Sequence, residues 1–109
     1  MKKYRIDIPL YNGTLYVIDT TNVEQAVKNT HGNDYDIDDT ESCLISKDSG
    51  DFYLYIDLVE CSIGILAHEL FHATHRILEY FGVEFTSKNH EPFAYLLEYL
   101  MNECIKLRK

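Results

Sequence analysis

Hydrophobic and polar positions change their period along this chain, and each change marks an element. Residues 4–11 (YRIDIPLY) and 14–19 (TLYVID) are rich in β-branched and aromatic residues and flank Asn12-Gly13, a strong hairpin signal. A second alternating pair, 42–47 (SCLISK) and 51–58 (DFYLYIDL), is separated by Asp48-Ser49-Gly50 and predicts a second hairpin. Between them, residues 23–30 (VEQAVKNT) predict a short helix, capped by Thr21 or Asn22 and ended by His31-Gly32-Asn33. Residues 33–41 (NDYDIDDTE) are acidic and polar and read as a loop. The Gly and distal Glu that an EF-hand needs are missing from it at the required spacings.

From Ser62 onward the period is helical. Ile63, Leu66, Ala67, Leu70, Thr74, Ile77, Leu78 and Phe81 fall on one stripe, and Gly82 ends the helix. A last helix is expected from about His90 to Leu107. It is apolar on more than one side, as a helix between a sheet and a neighbouring helix would be. The order ββαββαα predicts an α+β fold, with two hairpins forming a small sheet against two helices. A chain of 109 residues suits a single domain over 1–109.

The net charge of −8 argues against nucleic acid as a partner, because phosphate binding needs clustered Lys and Arg. No apolar run approaches membrane-spanning length. Met1-Lys2-Lys3 is followed by Tyr4-Arg5-Ile6-Asp7 in place of an apolar segment, so a secretory signal is not expected. Cys43, Cys61 and Cys104 are widely spaced, odd in number and contain no CxxC pair. Free thiols in a reducing cytoplasm fit them best.

The chemistry concentrates at His68-Glu69-Leu70-Phe71-His72, an HExxH motif on a helix. Positions i and i+4 of a helix lie one above the other, so two imidazoles grip one ion from one face. Glu69 sits round the barrel from them, placed to take a proton from metal-held water. With this composition, chance supplies on the order of 0.02 such motifs. The histidines also lie opposite the apolar stripe, where a purely structural helix carries Lys, Glu or Gln. Two surface histidines beside a glutamate are the plain alternative.

A zinc site needs a third protein ligand. His75 stands roughly 10 Å along the axis from His68, too far for a straight helix to bring both to one ion. The last helix offers Glu91, with Glu98 and His90 as alternatives. For Glu91 the plain alternative is an acidic first-turn residue that satisfies the helix dipole.

With HExxH followed by a helix beginning Glu91-Pro92-Phe93-Ala94, residues 51–105 resemble a minimal gluzincin zinc metallopeptidase. They are similar to small phage and bacterial metallopeptidases that cleave phage repressors, and to SprT-like domains. The metzincin branch is excluded, since position 78 is Leu78 where that pattern has histidine. The resemblance implies Zn2+ held by His68, His72 and Glu91, with Glu69 as general base and a peptide or protein as substrate. It also implies that strand 51–57 is an edge to which an extended substrate adds. Tyr95, Tyr99, His75 and His90 are then candidates for steadying an oxyanion. The rival expectations are a zinc-stabilised protein-binding module without turnover and a metal-free α+β domain.

Overall fold

The computed structural model of the chain describes residues 1–32, 42–47 and 49–108. The acidic stretch 33–41, expected to be a loop, lies outside them. Among the described residues, four strands and three helices follow in the order β1 (Lys2–Asp7), β2 (Thr14–Asp19), α1 (Val23–His31), β3 (Ser42–Ser46), β4 (Asp51–Ile56), α2 (Ile63–Tyr80) and α3 (Glu91–Leu107). This is the expected α+β element order.

The sheet has strand order β1-β2-β4-β3. β1 and β2 form one antiparallel hairpin and β3 and β4 another, while β2 and β4 run parallel, with Tyr16 opposite Tyr53. The crossover through α1 therefore inserts β4 into the middle of the sheet and leaves β3 at the rim. The expectation that residues 51–57 form an edge is corrected on this point. Both sides of β4 are already hydrogen-bonded, and among the described residues β3 is the outermost strand on that side.

Strand alternation divides the core into two layers. Leu15, Val17, Phe52, Leu54 and Ile56 point to the face covered by α2 and α3, where Leu66, Leu70, Ala73, Ile77, Phe93, Leu96 and Leu100 meet them. Ile18 and Tyr55 point the other way and pack with Ile45 against Val23, Ala26 and Val27 of α1. His31, at the end of α1, packs edge-on to Tyr53 at 4.7 Å. The short helix is capped as its sequence requires: Asn22 Oδ1 accepts from the Gln25 N–H, and Gly32 follows with a positive φ of 83°.

The first hairpin does not turn at Asn12-Gly13. β1 stops at Asp7, and residues 8–13 form a longer connection in which Ile8 N–H donates to the Gly13 carbonyl at 3.1 Å. Pro9 lacks the N–H that a continuing ladder would use, which ends the strand early. The left-handed position in this loop is Leu10, with φ 69°. Gly13 is required for closeness instead. A Cβ there would lie 2.8 Å from the Gly50 carbonyl oxygen and 3.0 Å from the Phe81 ring.

Candidate metal centre

Three features fix α2. Ser62 Oγ accepts from the Ile65 N–H at 3.1 Å and caps the start. At the end, Gly82 takes a φ of 81°, Gly82 N–H donates to Glu79 O, and Val83 N–H donates to Leu78 O at 2.8 Å. Between these caps Leu66, Leu70 and Ile77 are fully buried, each contributing about 1.5–3 kcal/mol of apolar burial. Ile63, expected on the buried stripe, is instead 53% exposed, and Ala73 takes a buried place beside Thr74. With its inner face held, the helix presents His68 and His72 on a fixed outer face.

The two imidazoles converge. Their Nε2 atoms lie 3.2 Å apart, and the rings meet edge to face with centroids 4.8 Å apart. Two nitrogens each about 2.05 Å from a tetrahedral zinc ion stand about 3.3 Å from one another, so the pair fits two positions of such an ion. The same separation lets one ring donate its N–H to the other when no ion intervenes. The His68 ring remains 67% exposed, open to an incoming ligand.

Glu69 lies beside the pair, with Oε1 3.8 Å from His68 Nε2 and its side chain only 17% exposed. Seven residues on, and so on the same side of α2, Arg76 reaches Ser46 Oγ of β3 at 3.5 Å. Glu69 thus lies on the side of α2 that Arg76 turns toward β3. A carboxylate, two converging imidazole nitrogens and the outermost described strand occupy one side of the molecule.

Glu91 lines a cleft with Pro9, Leu10 and Tyr11 of the β1–β2 connection, and among the described residues no group of three His, Cys, Asp or Glu side chains is set to hold one ion. Glu98 is exposed on α3, and His90 precedes the helix without capping it through its side chain. Tyr95 and Tyr99 share the Glu91 cleft, and Tyr99 donates to the Asp7 carbonyl at 3.0 Å. His75 is exposed, lining a second cleft with Glu79 and residues 82–85.

Sequence reasoning did not anticipate the aromatic seam where α2 meets α3. The Phe93 ring lies 4.9 Å from that of Phe71 and 4.6 Å from that of Phe85. Phe71 is one of the two unspecified positions of the motif, so only its hydrophobicity could have signalled a contact. Among the described residues no helix is long and apolar enough to cross a membrane. Searches against protein-family models, curated proteins and solved structures find no match for this chain.

Proposed function

We propose that this protein is a zinc-dependent hydrolase of peptide bonds, with His68 and His72 as metal ligands and Glu69 as the general base. The observation that carries the reading is the 3.2 Å approach of the two Nε2 atoms, with a sheltered carboxylate 3.8 Å from one of them. Zinc bound there supplies Lewis acidity, which brings the ionisation of water down to about pH 7.

The chain's own residues do the rest. His68 and His72 orient the ion from a helix whose inner face is locked into the core. Glu69 takes the proton of the attacking water and returns it to the leaving amine. β3, the outermost described strand on the Glu69 side, is where an extended peptide would add. A further donor would have to come from outside the HExxH helix, and Glu91 and Glu98 of α3 are the residues to vary. The negative charge favours protein over nucleic-acid substrates, and the free thiols of Cys61 and Cys104 suit a reducing cytoplasm.

A second reading, zinc binding without turnover, draws support from the exposure of His68 and from the want of a third donor among the described residues. One set of variants separates the two. Zinc content and cleavage of a mixed peptide substrate are measured for the native chain, Glu69→Gln, His72→Ala, Glu91→Gln and Glu98→Gln. The hydrolase reading expects Glu69→Gln to keep zinc and lose cleavage, and His72→Ala to lose both. Zinc binding with no cleavage by the native chain selects the second reading. Zinc binding unchanged in His72→Ala removes both.

A further inference from the structure

On the side of α3 that faces the β1–β2 connection, an apolar cleft of about 400 Å³ is walled by Pro9, Leu10, Tyr11, Pro92, Tyr95 and Tyr99. We propose that it binds an extended, proline-bearing peptide segment with one basic residue at its Glu91 end. The inference goes beyond the hydrolase reading and rests on Glu91 serving this cleft and not the metal, which leaves Glu98 as the α3 donor of that reading.

The walls are built before any ligand arrives. Tyr11 is stacked on Phe81 at 5.0 Å, and the Tyr99 hydroxyl is anchored on the Asp7 carbonyl at 3.0 Å. Between these braced rings stand two groups that the fold does not use. Tyr95 is 66% exposed, and Leu10 is fully exposed with a φ of 69°. A leucine in the left-handed region is disfavoured, and a turn that needed only this conformation would take Gly or Asn. Holding an apolar side chain there, at the lip of an apolar cleft, gives it a surface to meet.

Flat aromatic and proline walls suit polyproline II, which arrives preformed and has no internal hydrogen bonds to break. The cleft accommodates about one three-residue turn of it. Charge orients the segment. Asp7 and Glu103 flank Tyr99, where burial first and then these two carboxylates push the phenol pKa up. Each already has its own cation, Arg5 and Lys106, both at 2.9 Å. Among the described residues Glu91 makes no ion pair. A Lys or Arg in the ligand is the complement that this end of the cleft is missing.

The test is a titration of the 15N-labelled full chain, in buffer containing EDTA, with a short synthetic peptide carrying Pro-Pro-x-Pro-x-Arg. Saturable shifts centred on the Leu10 and Tyr95 amides are expected. Affinity should fall about tenfold or more with Tyr95→Ala, with Leu10→Gly, and with a peptide in which Glu replaces the Arg. Gly accepts the positive φ and Tyr95 is exposed, so both variants keep the fold. The chelator keeps the outcome independent of the metal reading. No saturable shift up to about 1 mM peptide overturns the proposal. So does equal binding of the acidic peptide, or a shift map centred elsewhere. Shifts that depend on protein concentration alone also overturn it, since a second copy of the chain would then cover the cleft.

Discussion

Zinc should raise the melting temperature of this protein, and His72→Ala should remove nearly all of that rise. A ligand that binds only the folded chain stabilises it by RT ln(1 + [L]/Kd), which is about 2.7 kcal/mol at one hundred times Kd. Each kcal/mol moves the melting temperature of a domain this size by about 4–8 °C, so the expected increase is about 10–20 °C. The two Nε2 atoms already stand 3.2 Å apart on a helix fixed by Leu66, Leu70 and Ile77, so binding spends little on rearrangement. Removing one imidazole from a two-imidazole clip weakens the site by about a hundredfold or more. At the same zinc concentration the remaining stabilisation is then about 0.4 kcal/mol, or about 2–3 °C. Differential scanning fluorimetry with and without zinc reads this directly. Glu69→Gln should retain the full increase, because that carboxylate is assigned a proton and not the ion. An equal increase in His72→Ala and the native chain would refute the assignment.

Three other outcomes follow from the fold. Gly13→Ala places a Cβ against the Gly50 carbonyl and the Phe81 ring, and should cost about 1–3 kcal/mol, read as a lower urea midpoint. Burial, with the Lys47 and Lys3 charges adding to it, holds the His31 imidazole below its ordinary pKa. The unfolded chain then binds that proton more readily, so His31's contribution is complete above its unfolded pKa of about 6.5 and is lost as pH falls from there through the lower folded pKa. The stability difference between the native chain and His31→Gln should shrink from pH 7.5 to pH 5. A constant difference contradicts this. Burial pushes the Cys104 thiol up to about 12, so iodoacetamide at pH 8 should leave Cys104 unlabelled until the chain unfolds, as peptide mapping by mass spectrometry would show.

The elements were legible because local rules governed them. The period-2 and period-3.6 stretches became strands and helices with bounds within a few residues of expectation. Asn22, Gly32, Ser62 and Gly82 cap or end helices for reasons written in their own side chains or lack of one. The approach of His68 and His72 was equally local, since i and i+4 on any straight helix bring two rings together. Where a second element had a say, local reading was insufficient. Asn12-Gly13 carries the hairpin signal, yet Pro9 ends the strand first, and Gly13 is small because Gly50 and Phe81 press on it from other parts of the chain.

Composition and spacing alone determined the α+β class, the helix that carries HExxH, and the outward face on which its imidazoles sit. Only the tertiary structure decided that β4 lies inside the sheet and β3 at its rim, because strand order follows from the α1 crossover and not from any strand's own residues. It also decided that Glu91 turns toward the β1–β2 connection and the Tyr95–Tyr99 cleft. A carboxylate on one helix reaches a metal on another only if the rotation of both about their axes permits it. That rotation is set by side chains meeting across the seam, here Phe71 and Phe93, whose contact neither helix encodes by itself.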